Sequence, residues 1–376
     1  TSMLPTSLII LISTVVILYG VTILFFTIIV AGRKSRFPKS FPTSYPGVSV
    51  IIPFRNEEHN LKPLLQSLKN QNYKGKWEII LVDDHSSDKG PKIVKEMQNE
   101  FDTVPLHLIQ PESLHSSLTS KQQALESGVS SAAHQLIAFT DADMVLHPQW
   151  LENLVHSQYA TQKDLIFGHT IIKKPEKAFG KLEAFQLEFL FSFAYAFFKA
   201  DLTGSCMGNN LLVVKDSYLR SGGQSAIGYN IVEDRALLEL FRRKGLKTGA
   251  AEPFLPLATT HPSRSLNQFY HQIRRWAAGG CHPGSNLFAA GILFSVQNLL
   301  FLFSVLGFMP LIISTLSFTN FFLNWIFLIL TFRKIHSPFR TLLFPLYYIF
   351  LIAETILFGF SLLFRPRIKW KNKTVQ

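Results

Sequence analysis

Two acids separated by a single residue, Asp141 and Asp143, close an apolar run in the stretch IAFTDADMVLHPQW, residues 137–150. Like charges repel, and carboxylates are costly to take out of water. Either the run ends in an exposed turn or a cation belongs between them. Hard divalent cations choose carboxylate oxygens, and Mg2+ commonly takes one or two of them and completes its shell with substrate phosphates. A cation shared by Asp141, Asp143 and a diphosphate would relieve the repulsion and neutralise a leaving group.

Further polar clusters carry two readings each. VDDHSSD, residues 82–88, reads as a polar strand-to-helix turn whose Asp and Ser cap the next helix. It reads equally as a set of acceptors, Asp83 and Asp84 among them, for the hydroxyl and N–H groups of a base and ribose. VEDRALL places Glu233 and Asp234 where a helix begins, with Leu237, Leu238 and Phe241 behind. Acids favour helix N-termini on electrostatic grounds alone; the alternative is a general base that takes a proton from an acceptor hydroxyl. QIRRW, residues 272–276, is a basic helix for headgroups, or an Arg for a diphosphate beside a Trp stacking face. Arg264 and Arg274 read as plain surface or headgroup charges.

Positioning these groups needs a scaffold. Residues 48–52, 77–82, 106–109 and 136–139 are apolar, strand-like runs. Between them Leu61, Leu64, Leu65 and Leu68 recur at helical spacing, and residues 92–100 and 121–130 are helical in pattern. Strand and helix in alternation predict an α/β layer with a parallel sheet. Continuous apolar strands predict burial on both faces. Ligands sit at the carboxyl ends of such strands, where Asp83, Asp84, Asp141 and Asp143 all fall.

The apolar residues are unevenly spread. Of 376 residues 47% are hydrophobic and 34 are Phe, enough for a soluble domain and membrane segments. Residues 8–31 carry no charge, and about 20 such residues span a bilayer. With no basic n-region and no A-x-A site, the run is an anchor and not a removed signal peptide. Arg33, Lys34, Arg36 and Lys39 follow and predict a cytoplasmic domain next. Three blocks, 288–316, 321–332 and 342–364, close the chain; Arg333 and Lys334 separate the second from the third, and Arg365, Arg367, Lys369, Lys371 and Lys373 follow. A cytoplasmic C-terminus needs an even number of crossings here. Either one block is re-entrant or interfacial, or the first hides a hairpin near Pro310. The aromatic stretch FGKLEAFQLEFLFSFAYAFFKA, residues 179–200, is either a buried core helix or an interfacial helix bordering a lipid.

The net charge of +12 suits an anionic substrate, a nucleic acid or an anionic membrane surface. Much of the basic excess flanks the membrane blocks, which argues against nucleic acid. Two cysteines, Cys206 and Cys281, without CxxC or His-pair spacing, argue against a disulfide scaffold or a zinc site.

Taken in order, VSVIIPFRNEE (residues 48–58), VDDHSSD, SKQQALESG (120–128), DADMVLHPQWL (141–151), GNN (208–210), VED and QIRRW resemble the membrane-bound family-2 glycosyltransferases with a GT-A fold. The resemblance spans the soluble region and implies an α/β, Rossmann-like nucleotide-diphospho-sugar transferase domain flanked by transmembrane helices. It implies an anchor over residues 1–37, a cytoplasmic catalytic domain with interfacial helices over 38–286, and a membrane region over 287–376, in the cell inner membrane. By this likeness Pro53, Arg55, Glu57, Asp83 and Asp84 line a nucleotide pocket and Lys121 touches the nucleotide or its phosphates. Asp141 and Asp143 form a DxD pair for Mg2+ or Mn2+, with Asp143 the direct ligand. Asp234 is the catalytic base and Glu233 its neighbour. Gln272, Arg275 and Trp276 match a QxxRW motif that closes over the diphosphate and the acceptor entrance. Two departures stand out: His85 where glycine is usual after the paired acids, and Val232 where Thr commonly precedes ED.

The implied reaction moves a sugar from a nucleotide-sugar donor, UDP by family precedent, to a lipid or lipid-linked hydroxyl. One base and no assigned carboxylate nucleophile predict inversion, through an oxocarbenium-like transition state. A processive polysaccharide synthase would carry the same motifs but usually more spans. A transporter would place its polar groups within the spans, and here Glu354 is the only acid in a hydrophobic block. A receptor scaffold is the other non-enzyme reading.

Overall fold

The computed structural model describes residues 4–32, 45–111, 117–173, 175, 177–252, 255–280, 286–334, 338–364, 368–370 and 373–375. Arg33, Lys34, Arg36, Lys39, Cys281, Arg365, Arg367 and Lys371 lie outside the described residues. In chain order the elements are α1 (Thr6–Gly32), β1 (Val48–Phe54), α2 (Glu58–Lys69), β2 (Trp77–Asp83), α3 (Gly90–Gln98), β3 (Leu106–Ile109), α4 (Ser120–Ser131), β4 (Leu136–Phe139), β5 (Val145–Leu146), α5 (Trp150–Thr161), β6 (Leu165–Phe167) and β7 (His169–Ile172). There follow α6 (Ala178–Lys199), β8 (Leu211–Val214), α7 (Lys215–Ser221), α8 (Gly223–Ile227), α9 (Glu233–Arg243), β9 (Thr248–Ala250), β10 (Pro256–Thr260), α10 (Leu266–Gly280), α11 (Asn286–Val305), α12 (Leu311–Lys334) and α13 (Phe344–Phe364).

These elements form two compact units. One comprises Ser35–Lys177 and Ser205–Pro262; the other comprises Thr1–Lys34, Ala178–Gly204 and Ser263–Gln376.

The first unit is built on a sheet of strand order β3-β2-β1-β4-β8-β6-β9. The strands β1 to β4 are parallel, as their apolar runs predict, and every residue of β1 and β2 is buried. The sheet is not parallel throughout: β8 runs antiparallel to both β4 and β6. Leu61, Leu64, Leu65 and Leu68 form the buried stripe of α2. Helix α4 lies so close to β1 that a Cβ at Gly128 would collide with Ile51, so glycine is required there for packing. Strand order turns at β1, between β2 and β4. Because these strands are parallel, their carboxyl ends share one edge, and the crevice outside that edge is where open α/β sheets bind ligands.

The second unit is helical. Among the described residues α1, α11 and residues 311–333 of α12 are long and apolar enough to cross a membrane. The helix break falls at residues 306–310, where Gly307 has φ 78 and Pro310 precedes α12. A turn near Pro310 is therefore present, but it adds no crossing, because the blocks then become α11, α12 and α13 and the count stays at three. The interruption expected after residue 316 is not present, because α12 runs straight through it. Its polar residues find partners without breaking the helix: Thr319 Oγ1 donates to Thr315 O (2.9 Å), and Asn320 Nδ2 donates to Val16 O on α1 (2.9 Å) and Gln297 Oε1 on α11 (3.0 Å). The aromatic helix α6 belongs to this unit and is buried on most sides, with Phe197 against Phe26, Phe185 against Phe332 and Phe189 against Tyr347.

Candidate active site

The loops after β1 and β2 are stitched together by side chains that bond to backbone. Asn56 Oδ1 accepts from Ser87 N–H (2.8 Å), Asp88 Oδ2 from Glu58 N–H (2.8 Å), and Glu58 Oε2 from Lys89 N–H (3.0 Å). Asp83 caps the second loop, accepting from Ser86 N–H (2.8 Å), and Asp84 N–H donates to Phe54 O (2.9 Å). Both aspartates are buried, and Arg55 reaches to 3.6 Å from Asp84. His85 has φ 56: the turn keeps the left-handed backbone that glycine would favour, so the departure from glycine leaves its shape intact. Glu57 accepts from Asn60 Nδ2 at 2.6 Å.

Beyond β4 the acids gather around an ammonium. Lys121, in the first turn of α4, stands 2.9 Å from Asp141 Oδ1 and 2.8 Å from Glu233 Oε1. Burial alone would lower the lysine, yet Asp141 and Glu233 together push it well above its ordinary range, so it stays charged. Asp234 is held by two backbone donors, Gly208 N–H and Arg235 N–H, each at 2.7 Å. Burial first, and Glu233 second, push its carboxyl up to about 6, while Lys121 pulls it down. Pro53, Lys121, Asp141, Glu233 and Asp234 line one pocket.

Asp143 accepts a long hydrogen bond from Thr260 Oγ1 (3.4 Å). Burial, then the neighbouring Asp141 and Glu57, push its carboxyl up to about 6. This chemistry fits a hard divalent cation. Two half-buried acids repel one another here, and no group of three acid, His or Cys ligands able to cage a metal occurs among the described residues. An ion held here would complete its shell from outside the protein, as Mg2+ does with phosphates.

Helix α9 is placed by residues the sequence reading did not single out. Gln122 Nε2 donates to Gln224 Oε1 (3.1 Å) and Gly228 O (2.8 Å), and its Oε1 accepts from Asn230 N–H (3.1 Å). Asn230 Oδ1 in turn accepts from Val232 N–H (2.9 Å). Val232 makes no side-chain cap for α9; the N–H of Arg235 in its first turn is met by Asp234 Oδ1 instead. The capping box of Thr119 with Gln122 was legible in the sequence as T-x-x-Q; the second duty of Gln122 was not. In GNN, Gly208 meets Asp234, while Asn210 Oδ1 accepts from Trp150 Nε1 (2.9 Å) and Asn209 Oδ1 from Thr170 Oγ1 (3.1 Å). Thr140 also lines the pocket; it is 1% exposed, and its hydroxyl has no hydrogen-bond partner among the described residues.

Gln272, Arg275 and Trp276 are not in this unit. They lie on α10, in the helical unit, at the i, i+3, i+4 spacing of one helix face. Arg274 there sits over the ring of Tyr270 at 5.5 Å.

A family model described as Glycosyl transferase family 21 matches residues 9–376. Glycosyltransferase AglE of Haloferax volcanii is 32% identical over 134 residues, 35% of this chain and 42% of that protein. A beta-monoglucosyldiacylglycerol synthase of Trichormus variabilis is 25% identical over 257 residues, 67% of this chain and 53% of that protein. The chain thus spans about half the length of these relatives. Among solved structures, the mannosyltransferase PcManGT from Pyrobaculum calidifontis, in complex with GDP-Man and Mn2+, matches with a TM-score of 0.53 at 14% identity, over 82% of this chain and 96% of that one. That likeness establishes the GT-A fold.

Proposed function

Starting from the premise that this chain belongs to glycosyl transferase family 21, we propose that it transfers a sugar, with inversion, from a nucleoside-diphosphate sugar to a hydroxyl of a lipid or lipid-linked acceptor. The observation that carries the reading is the set of Asp141, Lys121, Glu233 and Asp234 around one pocket by the carboxyl ends of the parallel strands. The loops holding Arg55, Asp83 and Asp84 form the base and ribose side of the donor site. Asp141 and Asp143 would hold a divalent cation, which when bound supplies positive charge for the leaving diphosphate. Asp234 takes the proton from the acceptor hydroxyl; its carboxyl near 6 leaves it mostly ionised at neutral pH yet basic enough to serve. Lys121 neutralises Glu233 beside it, so that Asp234 remains the proton acceptor of the pair. By its match to the QxxRW motif alone, Arg275 is assigned to the charge of the departing diphosphate.

The lipid acceptor is supported by α1, α11 and α12, which we read as spans, and by the name of the diacylglycerol-type relative. With two spans after the sheet unit, both ends of that unit and the close of α12 fall on one side, which we assign to the cytoplasm; α13 then lies re-entrant or interfacial. Residues 1–37 form the anchor, 38–286 the catalytic part with interfacial helices, and 287–376 the membrane region.

The test is direct. Purified protein in proteoliposomes is given a panel of labelled nucleotide sugars with Mg2+, Mn2+ or a chelator, and lipid products are resolved by mass. A metal-dependent single-sugar lipid product supports the reading. A ladder of long polysaccharide would replace it by a processive synthase, and neither transfer nor donor hydrolysis with any sugar would defeat it.

A further inference from the structure

Helix α10 needs something to set its rotation, since a slip of one residue turns a helix face by about 100°. Inside the helical unit a buried carboxylate bonds to a residue just ahead of it. Glu183, in the second turn of α6, is 6% exposed. Its Oε2 accepts from Ser263 N–H (2.8 Å), and its Oε1 accepts from the same N–H (3.1 Å) and from Ser263 Oγ (2.7 Å). Ser263 stands just before α10, and its Oγ lies 3.3 Å from Gln272 Oε1. Burial pushes the Glu183 carboxyl up, and these bonds pull it back. A buried acid with both oxygens engaged on one residue is a costly feature to keep for packing alone, since an apolar side chain would fill the same volume without desolvation.

The neighbouring contacts make Glu183 the polar pin of a three-helix seam. Phe269 on α10 packs edge-on against Phe179 of α6 (5.0 Å) and against Phe350 of α13 (5.9 Å). One turn along α6 from Glu183, Gln186 Nε2 donates to both oxygens of Glu354 on α13 (2.7 and 2.9 Å). Apolar rings permit sliding and rotation; the Glu183–Ser263 clamp, with its several directed bonds at one backbone position, does not.

We propose that Glu183 is a positioning residue for transfer: by clamping Ser263 it sets the register of the helix that carries Gln272, Arg275 and Trp276. This rests on the role given above to Arg275. The clamp predicts that its loss costs turnover and spares donor binding, which the sheet unit provides.

The experiment compares Glu183→Ala, Glu183→Gln, Ser263→Ala, the Glu183→Ala/Ser263→Ala double variant and Arg275→Ala in proteoliposomes, reading kcat, KM, nucleotide-sugar affinity and thermal stability. Glu183→Ala is expected to lower kcat at least tenfold, on the scale of about 100-fold per ångström of misplacement, with donor affinity within about twofold. Glu183→Gln, which keeps one acceptor oxygen for Ser263, is expected to recover part of that loss. The double variant should cost little more than the worse single one, the mark of residues acting as one unit. The proposal is overturned if Glu183→Ala keeps wild-type kcat while Arg275→Ala does not, or if kcat per folded molecule is unchanged and only thermal stability falls. If Arg275→Ala itself is fully active, the assignment of α10 to catalysis fails, and the clamp's catalytic role with it.

Discussion

The ammonium of Lys121 lies 2.8 Å from Glu233, one residue from the carboxylate that would accept the acceptor's proton, and 2.9 Å from Asp141. A charge in this place does two things. It cancels repulsion between acids that come from separate parts of the chain, and it holds down the proton affinity of Asp234. Replacing Lys121 by Met removes both. The acidic limb of the kcat profile should move to higher pH by about one unit, the order of effect of removing a nearby opposite charge. An unmoved limb, measured across pH 5–8, would show that Lys121 does not tune the base.

Asp234 itself sets the pH dependence of the native protein. Its carboxyl is pushed up to about 6 by burial and by Glu233, and it must be ionised to accept a proton. Turnover should therefore be low below about 6, rise through that value as the proton leaves, and level off above it. Asp234→Asn should lower kcat by about 10²–10⁴-fold and flatten what activity remains, with donor affinity preserved. Gly208→Ala is a milder probe of the same group. Its Cβ would sit 3.0 Å from Asp234 Cβ and 3.3 Å from Oδ2, so the base must shift, and kcat should fall about tenfold or more without loss of donor affinity. Single-turnover kinetics with a saturating acceptor would check both.

Local pattern carried the parallel half of the sheet. The runs at 106–109 and 136–139 coincide with β3 and β4 because each is a short apolar stretch bounded by polar residues, and the acids after β2 and β4 fall where such strands end. The antiparallel strands β6 and β8 escaped notice: each is short, and each is defined by a partner distant in sequence. The Lys121–Glu233 bridge is of the same kind, since no spacing rule links a residue of α4 to the start of α9. Nor did pattern decide where α6 belongs, because a helix aromatic on every side looks alike in a soluble core and in a membrane-associated bundle. Thr140 was invisible for a different reason. A threonine after an apolar strand is ordinary, and only its burial without a partner sets it apart.

The contact of α1 with α12 depends on the absence of a side chain. A Cβ at Gly20 would strike Asn320 Oδ1, and Asn320 is already committed to Val16 O and Gln297 Oε1. Small residues let helices in lipid approach closely, and such polar bonds are worth about 0.6 kcal/mol on average. Gly20→Leu must break this arrangement and part the helices, and should lower the melting temperature in detergent by several degrees. Asn320→Leu removes only the bonds and should cost less. Equal melting temperatures for both variants and the native protein would mean that the α1–α12 contact adds nothing to stability.

Thr140 offers a prediction in which stability and function move in opposite directions. Its hydroxyl is buried beside Lys121 and Asp141, with no partner among the described residues, and an unmet buried polar group costs about 1–3 kcal/mol. Valine has nearly the same shape and lacks the hydroxyl. If the group is reserved for a hydroxyl of the donor sugar, Thr140→Val should melt about 2–4 °C higher in the absence of substrate, yet raise KM for the nucleotide sugar about tenfold, the worth of one hydrogen bond. Thr140→Ser, which keeps the hydroxyl and loses a methyl, should show the reverse: a small loss of stability and a nearly native KM. The affinity for the free nucleoside diphosphate should be the same in all three proteins, because the sugar is absent from it. A Thr140→Val protein with native KM for every sugar tested would remove Thr140 from the donor site and leave its burial as a feature of the fold alone.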